Sequence, residues 1–312
     1  VCACHPVRQR DLTMTPAKRK NLHLSLLLGP VTVFLAIFFI GPLTIMLVYS
    51  FLEPGLYGGV EWSFYHHNFG RILGWADGEW EEFNPVYIRI FLQSIELALI
   101  TVFFSLIVCY PAAYWVSRLP EQLKTFFIFM ITLPFFVSLI VRLYAWMLIL
   151  RPSGFINHIL EAVGFGERAL DLMFSQTAVI IGLVYVMVPF MFLPIYASIE
   201  KLDMALVEAS GDLGANKFQT FRRVIIPLTL PGVVGGSIIV FIPTLGNFVV
   251  PDLLGGAKVV MIGNLVEQSF LSARNWPFGS ALAMLIMSTV LIFLLIYVTR
   301  MSRGQVVENI RG

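Results

Sequence analysis

Two ionisable residues lie within strongly apolar stretches of the sequence, Glu96 and Arg142. A charged group at such a position is costly in a membrane, and it usually pairs with another charge or lines a solute path. Two interpretations follow for these residues. Either they form an ion pair that locks two helices together, or they face a path through the protein.

Aromatic residues accompany these charges, namely Tyr144, Trp146, Tyr185 and Trp276. The faces of such rings attract ammonium groups, so the four rings would suit an aromatic cage. Trp and Tyr also collect at membrane–water interfaces. Trp146 and Trp276 lie near the ends of apolar stretches, where this belt interpretation is at least as good.

Signatures of catalysis or metal binding are absent from the sequence. It contains no Gly-x-x-x-x-Gly-Lys-Ser/Thr, His-Glu-x-x-His or Gly-x-Ser-x-Gly motif. His66-His67 has no second pair, and Cys2, Cys4 and His5 have no second half-site. We therefore predict no catalytic residues and no metal site. The net charge of +2 gives no broad basic face for nucleic acid.

The composition indicates a polytopic membrane protein. Hydrophobic residues make up 58% of the 312 residues, and charged residues make up 13%, about half the roughly 25% of soluble domains. A membrane-crossing helix needs about 20 apolar residues. Six stretches qualify: Leu24–Phe51, Ile90–Ser117, Thr125–Leu150, Gln176–Ile199, Leu228–Val250 and Ser280–Arg300.

The distribution of basic residues predicts the orientation of these six spans. If the N-terminus is cytosolic, 14 Lys and Arg fall on the cytosolic side and 6 on the outer side, as the positive-inside rule requires. Both termini are then cytosolic, with residues 1–23 a basic tail, 24–304 the membrane domain and 305–312 a second tail. The sequence begins at Val1 rather than at a methionine, so Met14 is an alternative first residue of the protein. The first outer loop is acidic. Its carboxylates would attract cations, or acidic residues simply occupy a loop where basic residues are disfavoured.

The cytosolic loop between spans four and five, residues 200–227, carries helix signals. Asp203 is a suitable N-cap for a short helix, and Gly214 suits its end. Asn216 and Gln219 have capping-box spacing for a second helix. On a regular helix, Phe218, Phe221 and Ile225 share one face. We expect this helix–glycine–helix elbow to dock on a protein partner, the alternative being a helix lying on lipid.

The elbow also resembles a family motif. Glu208-Ala209-Ser210, then Gly214, then Val224-Ile225-Ile226-Pro227 is similar to the pattern of permease subunits in bacterial ATP-binding-cassette (ABC) importers, with conservative departures at Ser210, Val224 and Ile226. The resemblance is strongest over about residues 90–300. It implies an all-α protein with six transmembrane helices, the type I ABC importer permease architecture, in the bacterial cytoplasmic (inner) membrane. It also implies that the elbow couples to the ATPase through Glu208, Ala209, Ser210, Gly214, Phe218, Phe221 and Pro227.

Further segments resemble the spermidine/putrescine permeases. They are Arg142-Leu-Tyr144-Ala-Trp146, residues 185–196, Gly246-Asn247-Phe248 through Asp252 and Gly256, Met261-Ile-Gly263 and Asn275-Trp276-Pro277. Asn247 stands where some relatives carry an acidic residue. The charges and rings within the spans, taken with these segments, give a candidate substrate path of Glu96, Arg142, Tyr144, Trp146, Tyr185, Asn247 and Asp252. An arginine does not itself hold a cationic polyamine, which favours a structural role for Arg142.

The resemblance implies a complex and leaves alternatives for the cargo. The partners would be a second permease, a dimer of ABC ATPase subunits, an extracytoplasmic substrate-binding protein and the lipid bilayer. The chain itself would bind no cofactor, since ATP belongs to the ATPase. The alternatives are an ABC permease for another solute such as iron or thiamine, a proton-coupled transporter, and a membrane-embedded enzyme built on Glu96 and Arg142.

Overall fold

The computed structural model describes residues 28–75, 83–163 and 172–311, with side chains as far as Thr299. The N-terminal tail and four acidic residues of the first outer loop (Asp77, Glu79, Glu81 and Glu82) lie outside the described residues. The helices are α1 Leu28–Tyr49, α2 His67–Ile72, α3 Val86–Ser117, α4 Glu121–Thr132, α5 Leu139–Leu150, α6 Phe155–Ala162, α7 Gln176–Glu200, α8 Met204–Asp212, α9 Lys217–Thr220, α10 Ile226–Leu245, α11 Val249–Gly255, α12 Ile262–Leu271 and α13 Trp276–Arg311. Strands β1 Leu52–Pro54 and β2 Val60–Phe64 form one hairpin.

Within residues 28–75, 83–163 and 172–311, six helical segments are long and apolar enough to cross a membrane, which agrees with the predicted number. They are Leu28–Tyr49, Val86–Ser117, Leu139–Ala162, Gln176–Glu200, Lys217–Leu245 and Trp276–Thr299. The third differs from the prediction, because it comprises α5 and α6 rather than the stretch Thr125–Leu150.

The predicted span Thr125–Leu150 is not one continuous helix in the structure. Helix α4 ends at Thr132, a 3-10 turn covers Leu133–Phe136, and Val137 and Ser138 are extended before α5 begins. Pro134 lies at the start of the 3-10 turn, where its missing N–H and its ring disfavour a continuing α-helix. Pro111, Pro189 and Pro194, by contrast, lie inside continuous helices.

Helix α7 occupies the centre of the bundle. It has the largest buried share of the six segments and packs against α3 and α10. Cys109 Sγ of α3 lies 3.4 Å from the Val188 carbonyl of α7, and further along α3 Tyr114 shares a cleft with Ile199. Helices α3 and α7 therefore run in the same direction, as expected for two spans separated by one crossing.

The small residues of α10 allow it to approach α7 closely. A Cβ atom on Gly232 would lie 2.7 Å from the Pro194 carbonyl oxygen, and one on Gly236 would lie 3.1 Å from Met191 Sδ. Gly232 and Gly236 have the Gly-x-x-x-Gly spacing of close helix contacts. In the structure the two glycines face α7 of the same chain, because small residues let helix backbones approach each other.

The β-hairpin follows α1 and was not predicted. Asn68 ties it to the bundle by donating hydrogen bonds to the Ser50 and Leu52 carbonyls. The Gly59 N–H donates to the Arg274 carbonyl just before α13. Glu53 and Glu61 face each other across the two strands. Three spans separate this hairpin from the elbow, so the two lie at opposite ends of the bundle.

Candidate functional site

The elbow, residues 203–227, folds as its local sequence signals predict. The Asp203 carboxylate accepts a hydrogen bond from the Ala205 N–H at the start of α8. At the start of α9, Asn216 and Gln219 form both bonds of the capping box, at 2.8 and 3.0 Å. These caps satisfy N–H groups that a helix start otherwise leaves without partners.

Gly214 makes the bend between α8 and α9. Its φ is +82°, in the left-handed region that favours glycine, and a Cβ atom there would meet nothing within 4 Å. Ser210 Oγ and Thr220 Oγ1 then hold the two helices together at 2.8 Å. The bend therefore depends on backbone conformation rather than on space around the glycine.

Phe221 anchors the elbow to the bundle. Its ring packs edge-on against Tyr110 and Tyr114 of α3, at centroid distances of 5.8 and 5.7 Å. Ile225 is buried nearby. The predicted common face of Phe218, Phe221 and Ile225 is wrong, because Phe218 points away and is 69% exposed. A π-helical turn over Phe221–Ile225 changes the register that a regular helix would give.

The outer surface of the elbow is apolar. Leu213 is 89% exposed, and Phe218, Met204 and Leu206 are exposed as well. Glu208 is also exposed and has no ion-pair partner among the described residues. Exposed apolar groups on a capped, anchored bend indicate a preformed contact surface. We call these residues, with Gly214, the elbow surface.

The elbow is also joined directly to two spans. Its π-helical turn continues into α10, and Tyr110 of α3 hydrogen-bonds Thr229 of α10 at 2.9 Å. Nearby, Lys124 of α4 pairs with Glu200 at the end of α7, at 2.8 Å. A displacement of the elbow would therefore move packed helices rather than a free loop.

Glu96 faces a cavity at the opposite half of α3. The cavity has a volume of about 500 Å³ and is lined by Pro85, Ile88, Arg89, Leu92, Gln93, Glu96 and Gln176. The Glu96 side chain is exposed, and it forms no ion pair or hydrogen bond with the described part of the chain. Its carboxylate and the Gln93 amide are thus available to a solute.

Arg142 does not pair with Glu96, so the ion-pair interpretation is wrong for the isolated chain. Its guanidinium carbon instead lies 5.9 Å from the Tyr185 ring centre, and the Tyr185 ring meets the Trp146 ring at 5.4 Å. Tyr144 is 53% exposed, and Trp276 begins α13. Two of the four rings, Trp146 and Tyr185, therefore come together in this chain, and the Tyr185 ring faces Arg142.

The predicted path residues Asn247 and Asp252 lie in the connection between α10 and α12. The Asn247 side chain accepts a hydrogen bond from the Val250 N–H at the start of α11, while Asp252 is exposed. A Cβ atom on Gly263 would lie 2.6 Å from the Gly246 carbonyl oxygen, so the connection packs tightly on α12.

Several residues that hold these sites together were not identified from the sequence. Tyr110 and Tyr114 receive the elbow. Asn264 donates to the Phe248 carbonyl, and Ser94 of α3 accepts from the Ile262 N–H. The signal for Asn264 was its place three residues after Met261, where its side chain caps α12. Among the described residues, no group of three potential metal ligands comes together.

The six spans, the elbow surface and the polar cavity are compatible with a membrane permease. Comparison with known proteins gives the same class. The family described as "Binding-protein-dependent transport system inner membrane component" matches residues 101–304. The chain belongs to this family, the inner-membrane permeases of ABC importers, whose members are non-catalytic membrane-spanning subunits.

Named relatives and solved structures fit this assignment. The spermidine/putrescine transport system permease protein PotB of Salmonella typhimurium is 40% identical over 248 residues, which cover 80% of this chain and 83% of the relative. That of Haemophilus influenzae is 44% identical over 216 residues, covering 69% and 75%. A chain of a bacterial ABC transporter involved in the import of the acidic polysaccharide alginate is 18% identical, with a TM-score of 0.69 over 91% of this chain and 96% of that chain. The last likeness shows the fold alone.

Proposed function

We propose that this chain is one of two permease subunits of an ATP-driven importer of polyamines such as putrescine and spermidine. The observation that supports polyamines as the cargo is the 40–44% identity to spermidine/putrescine permeases over 69–80% of the chain. A second, physical observation supports it. Glu96, which has no ion-pair partner among the described residues, offers a carboxylate to a cavity that Arg89 and Gln93 also line, and polyamines carry ammonium groups.

In the proposed complex, two ATPase subunits bind and hydrolyse ATP on the cytosolic side. A second permease completes the translocation path, and an extracytoplasmic binding protein delivers the cargo. A solved alginate transporter in complex with its periplasmic protein has a chain with a TM-score of 0.70 to this one. The fold is therefore compatible with such an assembly.

The elbow surface is the proposed contact with one ATPase subunit. An ATPase that moves Leu213 and Phe218 would also move Phe221, which is packed on Tyr110 and Tyr114 of α3. It would move α10 through the continuous π-helical turn. The energy of ATP binding and hydrolysis would thus shift the spans between outward and inward access.

The proposed orientation places both termini and the elbow in the cytosol. We expect single cysteines at Tyr57 and Leu213, which are 97% and 89% exposed, to react with a membrane-impermeant thiol reagent from opposite sides. The measurement uses a chain whose three native cysteines are replaced, in intact and inverted vesicles. Labelling of both sites from one side would contradict the orientation.

The cargo proposal predicts a specific effect at Glu96. Glu96→Gln should lower polyamine uptake about tenfold or more at low concentration, because a hydrogen bond to a charged group contributes about 1.5–3 kcal/mol. Whole-cell uptake of labelled putrescine and spermidine, in a strain lacking other polyamine importers, provides the measurement. Glu61→Gln, the same change in the outer hairpin, is the control. Intact iron or thiamine uptake without polyamine uptake by the unmodified chain would favour those cargoes instead.

A further inference from the structure

Arg142 has no counter-charge within the described part of this chain. Its Nε atom is buried without a hydrogen-bond partner. No acidic side chain lies within 4 Å of the guanidinium among the described residues. The ring of Tyr185, 5.9 Å from the guanidinium carbon, provides a weak attraction at best. An arginine among apolar spans requires more compensation than this.

The neighbouring elements increase this requirement. Arg142 is the fourth residue of α5, where the helix dipole places partial positive charge. Asp252 lies on α11, which packs against α5, but it forms no ion pair with Arg142. Glu96 lines a cavity that Arg142 does not line. The isolated chain therefore holds a cation that nothing in its described part neutralises.

Depth in the membrane limits where the missing anion comes from. Helix α5 continues for eight residues beyond Arg142 to Leu150, about 12 Å at 1.5 Å per residue. Before Arg142, predominantly apolar residues extend back to Phe126 through the 3-10 turn and α4. Lipid tails against such a stretch offer no anion to the guanidinium. A polyamine cannot serve, because it repels an arginine.

The side of α5 next to Arg142 is open to another protein. Leu143 and Leu150 are buried against this chain, whereas Val141, Tyr144 and Leu148 are 53–59% exposed. Arg142 lies at the boundary between these faces and is part-buried. A helix of a neighbouring subunit would reach the guanidinium from this side.

We infer that Arg142 forms an ion pair with an aspartate or glutamate of the second permease, within the membrane. The pair would be made across the interface between the two permeases and would fix their register. Arginine suits this role because its planar guanidinium binds a carboxylate through two hydrogen bonds. The inference rests on the proposed function, which supplies the second permease.

Co-purification of the two permeases tests the pair. The tagged chain is co-expressed with a candidate second permease of the same family and extracted in mild detergent. Arg142→Leu should lower the co-purified partner about tenfold or more, because breaking an interfacial charge pair leaves one charge unpaired. Arg142→Lys, which keeps the charge, should retain much of it. Arg151→Leu, at the exposed outer end of α5, is the matched control and should have no effect.

A charge exchange identifies the partner group. In an Arg142→Glu chain, arginine at one of the second permease's intramembrane Asp or Glu positions should restore co-purification. Arg142→Leu at wild-type yield would overturn the inference, as would a loss that no such exchange repairs. Arg142-dependent co-purification of a differently tagged copy of this chain would also overturn it. If the unmodified chain binds no second permease, the proposed function itself fails.

Discussion

Replacing Gly214 by aspartate is expected to abolish polyamine uptake while leaving the chain in the membrane and bound to the second permease. At φ +82° any side chain is strained, which costs about 1–2 kcal/mol locally. Nothing lies within 4 Å of the added Cβ, so the bundle itself is not disturbed. The strain is relieved most easily by turning α9 relative to α8, which would misplace Phe218 and Leu213 on the elbow surface.

The comparison that isolates this effect is Gly211→Asp. Gly211 lies in α8, an added Cβ there would also meet nothing within 4 Å, and its φ is not positive. It receives the same charge three residues away. We expect normal expression of both variants, with ATPase pull-down and uptake lost only in Gly214→Asp. Normal uptake by well-expressed Gly214→Asp would contradict docking of the elbow on the ATPase and favour the interpretation that the elbow lies on lipid.

The second large effect is expected at Gly232, where valine should prevent stable folding. The added Cβ would lie 2.7 Å from the Pro194 carbonyl oxygen, a backbone atom that cannot rotate away, and would also contact Ser198. Helices α10 and α7 would have to separate along the centre of the bundle. Overpacking of this kind costs about 3 kcal/mol or more.

Gly235→Val is the control for this prediction. Gly235 lies in the same helix, and a Cβ there meets nothing within 4 Å. The thermal stability of the purified chain in detergent, with the amount of folded protein in the membrane, distinguishes the two. Equal stability of Gly232→Val and Gly235→Val would contradict the close packing of α10 on α7.

The parts of the structure that could be predicted from the sequence depend on short-range signals. The Asp203 cap, the Asn216–Gln219 capping box and the positive φ of Gly214 each involve residues within a few positions of one another, and all three are present. The six spans follow from the average composition of long stretches. Such features need no knowledge of what packs where.

The parts that could not be predicted depend on register and on contacts between distant residues. The common face of Phe218 and Ile225 assumed 3.6 residues per turn, and the π-helical turn over Phe221–Ile225 departs from that value. Hydropathy averaged over Thr125–Leu150 did not detect the extended residues Val137 and Ser138. The separation of Glu96 from Arg142 depends on how α3 and α5 are rotated, which neither segment specifies alone.

ATP-driven uptake by the purified complex tests the central claim most directly. The chain, its second permease and the ATPase are reconstituted in vesicles with the elbow surface outward, and the binding protein is enclosed with labelled putrescine or spermidine. External ATP should then drive the polyamine out of the vesicle lumen, which corresponds to import in the cell. Export should require the binding protein and be lost with Gly214→Asp. Retention of polyamines, while the same vesicles move iron or thiamine under ATP, would contradict the account.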